Sequence, residues 1–379
     1  MVAAPAPVEA HYRDPVIERL RALSDKAIKR LVLVWDLTRV TPWHQIRRLR
    51  DPSSDLVVWL HHRHPGGWAK WVLQEDTVVK DVAILRALCR RGLRFRIVTG
   101  DGIESLRDAR VLYTLHWYNP DRLANHSASL MAALRRAEER GNTLLPSADE
   151  AEWWENKVFM HRRFDELGVN CPRTWILDST SDLESGEDAA RAEALPFPVL
   201  AKEPHSQGSA GVHKVDSVAE LRALRSKLVA AGEPELLVQD LIDMRRDLRA
   251  TCVGGEVVHH YFRINTSGEW TPTSTRRGSL VDFETFPEQW RGRIVDVLGK
   301  CGLRTGAFDI CWEGDDLESE PIFLEVSPSY TPNPPPPPSF SDKPYYAFKK
   351  QLRGPDSYPK RSIETVAAIV DRVLQEYGL

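Results

Sequence analysis

The chain has 379 residues, too many for one compact core, so two or three lobes are expected. Its formal net charge of −3 argues against a nucleic-acid protein, which would carry a strongly basic surface. No apolar stretch approaches the ~20 residues of a membrane span, and the opening MVAAPAPVEAHYRDP lacks the apolar core of a signal peptide. Five scattered cysteines (Cys89, Cys171, Cys252, Cys301, Cys311) without a CxxC fit free thiols in a reducing compartment. A cytoplasmic protein without membrane or nucleic-acid partners is expected.

Residues 1–27 read as a loose arm. Arg30-Leu-Val-Leu-Val-Trp35 and Asp55-Leu-Val-Val-Trp-Leu60 are apolar runs that read as buried strands. Helical spacing runs from Thr77 to Arg91 and stops at Gly92. Leu93–Val98 and Arg110–Leu115 read as further strands, which makes 28–148 a small α/β lobe. His61, His62 and His64 lie on a Pro/Gly loop without a matching Cys/His group, so they read as solvated loop rather than metal ligands.

A second region, 149–338, opens with a helix over Glu152–Leu167 that ends at Gly168. Strands follow at Thr174–Leu177, Pro198–Lys202 and Leu236–Gln239. Ser217-Val-Ala-Glu220 reads as a capping box that opens a helix to Gly232. Leu248–Val253 and Glu256–Arg263 form a hairpin about Gly254-Gly255, and Phe286–Cys301 reads as a helix. The segment 339–379 holds a terminal amphipathic helix, Ser362–Tyr377, and the prolines of 332–338 form a stiff extended connection.

The most telling stretch is Thr305-Gly-Ala-Phe-Asp309-Ile-Cys-Trp with Ile322-Phe-Leu-Glu325-Val-Ser327. Each reads as an apolar strand carrying one carboxylate. Two buried carboxylates on one hairpin are costly unless something positive lies between them. Mg²⁺ carrying nucleotide phosphates would serve, because it takes oxygen ligands. Upstream, in order, stand Lys157, Lys202, the Ser206-Gln-Gly208-Ser209-Ala-Gly211 loop, Gln239-Asp240-Leu-Ile242, Asp247-Leu-Arg249, Arg263 and Arg277.

In this order and spacing the chain resembles the ATP-grasp superfamily, nearest the ribosomal-protein glutamate ligases and glutathione synthetases, over about residues 150–335. The resemblance implies an α/β and α+β protein: an N-terminal pre-grasp lobe, then a lid lobe (about 170–238) and a C-terminal lobe (about 239–338) that sandwich ATP. It implies that Lys157 and Lys202 hold phosphates, with Ser206, Gly208, Ser209 and Gly211 as the glycine lid. Gln239, Asp240 and Ile242 would meet the adenine, and either Asp243 or Asp247 the ribose. Arg249, Arg263 and Arg277 would surround the transferred phosphoryl group, and Asp309, Glu325 and Ser327 would hold Mg²⁺ or Mn²⁺. The family usually has Asn at the position of Ser327, and Asn333 is a second candidate for that ligand. The implied reaction joins a carboxylate to an amine, of an amino acid or peptide, through an acyl phosphate. A kinase on the same fold and a non-catalytic nucleotide-binding regulator are the alternatives. Dimers and tetramers are common in the family, so a homo-oligomer is an open expectation.

Overall fold

The computed structural model describes residues 31–32, 35–60, 75–115, 123–153, 156–206, 211–233, 235–267, 270–275, 278–328, 332–340, 343–354 and 356–379. The expected arm of residues 1–27 and the histidines His61, His62 and His64 lie outside them. Three sheets organise the described residues.

The first lobe is a parallel sheet in the order β2-β1-β3-β4, built from β1 (Leu56–Leu60), β2 (Arg96–Thr99), β3 (Arg110–Leu112) and β4 (Thr143–Leu145). Every residue of β1 is buried, as expected of a parallel strand covered on both faces. The helices Glu75–Arg90 and Leu123–Glu139 cross between strands, and Gly92 ends the first of them with φ 65°.

At its described residues the run Arg30–Trp35 is not the expected buried strand. Residues 31–32 and 35–40 are helical, and Leu31 and Trp35 are 70% and 64% exposed. An unbroken apolar run carries no period, so it cannot separate strand from helix. What buries here is Leu37, with Val40 beside it, against Val78, Val79 and Val82 of the Glu75 helix.

The second lobe is an antiparallel sheet in the order β5-β8-β6-β7: β5 (Thr174–Leu177), β6 (Val199–Lys202), β7 (Val212–Val215) and β8 (Leu236–Asp240). The helix Val218–Ala230 covers it. Ser217 caps that helix through the Glu220 N–H, but the Glu220 carboxylate accepts from Asp216 N–H rather than closing the expected box.

The third sheet runs β11-β10-β9-β12-β13, from β9 (Arg246–Val253), β10 (Glu256–Ile264), β11 (Leu280–Asp282), β12 (Thr305–Cys311) and β13 (Ile322–Ser327). All its pairings are antiparallel. Gly254 turns the β9–β10 hairpin with φ 56°, a backbone that favours glycine. Leu248, Ala250, Cys252, Phe262, Phe308, Ile310 and Phe323 form the core on one face, packed on Ile294, Val297 and Leu298 of the helix Arg291–Lys300. That helix starts later than the expected Phe286, because Pro287 opens a 3₁₀ turn over Glu288–Trp290 first.

The expected helix Glu152–Leu167 is two helices, Ala148–Glu152 and Lys157–Glu166. Asn156 restarts the chain as an N-cap, its side-chain oxygen accepting from Phe159 N–H at 3.0 Å. The C-terminal helix, Tyr358–Glu376, returns to the first lobe and packs along the Glu75 helix. Among the described residues no helix is long and apolar enough to cross a membrane.

Candidate functional site

Strand alternation decides the face opposite the apolar core. Tyr261 pairs with Arg249, Arg249 with Asp309, and Asp309 with Glu325, so one straight row crosses β10, β9, β12 and β13. Two residues along on the same face come Arg263 paired with Asp247 on one side, and Ala307 paired with Ser327 on the other. Core residues and charged residues thus alternate along single strands.

The row is knitted by ion pairs. Arg249 Nη1 donates to both Asp309 oxygens, at 2.7 and 2.8 Å. Arg263 Nη2 lies 3.0 Å from Asp309 Oδ2, and its Nε donates to Asp247 Oδ1 at 3.0 Å. Two guanidiniums therefore face two carboxylates that are 9% and 2% exposed. Burial pushes the Asp309 carboxyl up, but Arg249 and Arg263 more than offset it and hold it below the usual range. At Asp247 burial wins over Arg263, and the carboxyl is raised.

Lys202 faces this row from the second sheet. It is the last residue of β6, on the strand face opposite the buried Val199 and Ala201. Burial lowers its ammonium, Glu325 and Asp309 oppose the shift, and Lys157 adds to it. The two lysines and two carboxylates thus share one electrostatic neighbourhood. Lys157 is buried and donates from Nζ to the Ser206 carbonyl at 2.5 Å. Its backbone N–H reaches the Pro204 carbonyl at 3.2 Å, tying its helix to the loop after β6. The same helix meets the third sheet, where Met160 Sδ accepts from Val326 N–H at 3.2 Å.

At the described ends of the expected glycine lid, Ser206 is buried, with its hydroxyl donating to the Glu203 carbonyl at 3.0 Å. Gly211 has φ 66°, and an added Cβ would stand 2.8 Å from both Glu203 Cδ and Ser206 Cβ. The remaining lid residues Gly208 and Ser209, and Arg277, lie outside the described residues.

The expected nucleotide-edge residues divide. Gln239 is buried; its Nε2 donates to Thr174 Oγ1 at 2.7 Å and lies 3.1 Å from His161 Nε2. Asp240 is paired with Arg173 at 3.2 Å. Ile242 follows β8 in the irregular stretch 241–244. Of the two ribose candidates, Asp247 is committed to Arg263, and Asp243 is exposed, its carbonyl accepting from Gly314 N–H at 2.7 Å. Asn333 approaches from the proline segment: its amide donates to the Tyr261 hydroxyl and its carbonyl meets His259 Nε2, both at 2.8 Å.

Two buried residues of this neighbourhood escape the sequence reading, His161 and Tyr261. His161 stands four residues after Lys157, on the same helical face. Burial, with Lys202 and Lys157 adding, lowers its imidazole to about 3, so it is neutral at ordinary pH. Tyr261 stands two residues before Arg263, on the same strand face. Both spacings were signals.

The residues fit a divalent cation. Asp309 and Glu325 are direct cross-strand partners with Ser327 next on that face, and Mg²⁺ is commonly held by one or two carboxylates plus substrate phosphates. Among the described residues no group of three or more His, Cys, Asp or Glu could hold a metal. Of the roughly four lone-pair sites of a carboxylate, the arginines take both on Asp309 Oδ2 and one on Oδ1, which leaves one on Oδ1.

No model of a protein family matches the sequence, and no curated protein matches it. Solved structures do match. The D-alanine–D-alanine ligase of Bacillus anthracis superposes with a TM-score of 0.54 over 86% of this chain and 97% of its own, at 13% identity. A structure of that ligase complexed with ATP gives 0.52 over 86% and 98%, also at 13% identity. D-cycloserine synthetase DcsG gives 0.50 over 83% and 99%, at 16% identity. The chain has the ATP-grasp fold of these ligases, as the order of its motifs implies.

Proposed function

We propose that the chain is an ATP-dependent ligase that joins a carboxylate to an amine. The observation that carries this reading is the row Arg249–Asp309–Glu325 facing Lys202 across the cleft between two sheets. Such a cleft suits a polyphosphate: cations line it from both sides, and carboxylates stand where a nucleotide-borne cation would sit.

In the reaction, a substrate carboxylate oxygen attacks the γ-phosphorus of ATP. The bond from that phosphorus to the bridging oxygen breaks, and ADP leaves. The amine nitrogen then attacks the acyl carbon of the acyl phosphate, the carbon–oxygen bond to phosphate breaks, and the amine loses a proton. Lys157 and Lys202 bind phosphate oxygens as point charges. Arg249 and Arg263 offset the charge spread over the transferring group, with Arg277 assigned the same role. Ser206, Gly208, Ser209 and Gly211 close over the phosphates and keep water from the acyl phosphate. Gln239, Asp240 and Ile242 line the adenine side. Asp309, Glu325 and Ser327 would hold Mg²⁺, which neutralises phosphate charge when bound.

The test is ADP and phosphate release with mixtures of amino acids and short peptides, with products read by mass spectrometry. An amide plus free phosphate is expected. Lys202→Ala and Glu325→Ala should each lose about a hundredfold or more in rate, ~3 kcal/mol. Normal turnover in both variants refutes the assignment. A phosphorylated product would mean a kinase, and nucleotide binding without turnover a regulatory protein.

A further inference from the structure

At the end of the charged row away from Glu325 stands Tyr261, to which the reading above gives no task. It is 3% exposed and pairs across strands with Arg249. Its hydroxyl oxygen accepts from the Asn333 amide at 2.8 Å, and among the described residues that is its one hydrogen bond. A phenol also has a proton to donate. No acceptor among the described residues takes it, and a buried donor left unmet is costly, so it points to an acceptor on a ligand. Arg249 beside it is only part-committed. Its Nη1 serves Asp309, while its Nε and Nη2 meet no acceptor among the described residues.

The phenol is held in place. Its ring packs on Phe283 and His259, with centroids 5.1 and 5.8 Å away. Asn333, which meets its oxygen, is fixed in turn by His259, whose Nε2 donates to the Asn333 carbonyl at 2.8 Å. The Tyr345 hydroxyl donates to the next carbonyl, that of Pro334, at 2.7 Å. A donor fixed in this way needs no reorganisation when charge develops beside it.

The order along the row assigns the acceptor. Glu325 and Asp309 stand at the cation end, then Arg249, then Tyr261, with about 4.8 Å from strand to strand. Arg249 serves the transferring phosphoryl group, and the group that meets this phosphoryl is the attacking carboxylate. Tyr261 is the next side chain past Arg249. A neutral donor holds an oxygen anion by one charge-assisted hydrogen bond and brings no full positive charge to weaken its attack.

We propose that Tyr261 is a catalytic residue whose O–H donates to the non-attacking oxygen of the substrate carboxylate. The assignment rests on the ligase reading. When the amine nitrogen adds to the acyl carbon, the carbonyl electron pair moves onto that same oxygen, and Tyr261 holds the resulting anion. The pair then returns, the carbon–oxygen bond to phosphate breaks, and the amine proton leaves on the phosphate.

The experiment has two arms. In turnover, Tyr261→Phe keeps the ring and removes the donor. It should lower kcat for amide formation about a hundredfold, with the KM for ATP within about twofold of wild type. Asn333→Leu removes the tie to the proline segment but leaves the phenol, and should lose less than about tenfold. With tyrosines replaced by 3-fluorotyrosine, whose phenol is more acidic, the rate should fall as pH rises through phenol ionisation. The same labelling of Tyr261→Phe should give no such fall, a contrast that a purely structural tyrosine would not produce. In the second arm the labelled full chain, holding ADP and Mg²⁺, is titrated with sodium acetate by ¹⁹F NMR. The signal missing from Tyr261→Phe identifies residue 261, and acetate should move it where sodium chloride does not. An unmoved signal, equal losses in Tyr261→Phe and Asn333→Leu, or Tyr261→Phe turnover within about threefold of wild type overturns the proposal. Amide formed at that undiminished rate would leave the ligase standing. Acetate that moves the signal while no acid–amine pair turns over would keep a carboxylate at Tyr261 and refute the ligase.

Discussion

The parallel sheet of the first lobe and the antiparallel sheet of the third solve opposite problems with the same kind of strand. β1 is Leu-Val-Val-Trp-Leu, buried at every position among apolar neighbours. β12 is also buried at every position, yet Asp309 is one of its residues. The first sheet is covered on both faces by helices and its own loops, so apolar side chains suffice. The third is covered on one face by apolar core and on the other by a charged cleft, so a carboxylate can be buried there only among guanidiniums. Buried strands do not have to be apolar strands, provided that the charges on one face sum close to zero.

Breaking that balance should be the most costly. Arg263→Leu leaves Asp247 buried and unpaired, and should cost about 3–5 kcal/mol by chemical denaturation. The double variant Arg263→Leu/Asp247→Leu should recover most of the loss. A single variant that loses less than about 1 kcal/mol would mean that the charges do not hold that face together.

The neutral imidazole of His161, which feels both lysines, gives the next effect. The His161 value is about 3 in the folded chain against an ordinary 6.5. Because the folded value is depressed, its contribution is complete above about pH 6.5 and declines as pH falls from there towards 3, by up to about 1.4 kcal/mol per unit. Urea midpoints of the wild-type chain and His161→Gln, compared at pH 7 and pH 5, should diverge by about 2 kcal/mol, with the variant less pH-dependent. Parallel pH profiles would remove His161 from the buried charge balance.

The smallest effect concerns a turn rather than a charge. Gly211→Ala puts a Cβ against Glu203 and Ser206 on a φ 66° backbone. It should cost about 1 kcal/mol, read as a thermal midpoint a few degrees lower. An unchanged midpoint would show that the backbone at Gly211 relaxes freely.

Legibility in the sequence followed the physics of each element. The hairpin about Gly254 and the strands carrying Asp309 and Glu325 were readable, because alternation and glycine turns are local signals. Lys202 was readable from its place at the end of an apolar run. The run Arg30–Trp35 misled, since an unbroken apolar run has no period; the apolar packing here comes after it, where Leu37 and Val40 meet Val78 and Val82. His161 and Tyr261 went unread although they lie at i+4 and i−2 from noticed residues. The burial of His161 depends on its helix meeting the second sheet at Gln239, and that of Tyr261 on the proline segment bringing Asn333 to its hydroxyl, which one strand or helix does not encode. The pairing of Asp309 with two arginines was likewise hidden, because it joins residues about sixty and forty-six positions apart in the chain.

The return of the C-terminal helix has a consequence for how the protein is made. Ile363, Val366, Ala367, Leu374 and Tyr377 belong to the same apolar clusters as Val78, Val82, Leu88 and Phe95. During translation the first lobe emerges early but lacks these residues until both other sheets have been synthesised. Its exposed apolar faces must wait through that interval, so nascent-chain folding cannot finish lobe by lobe in the order of synthesis.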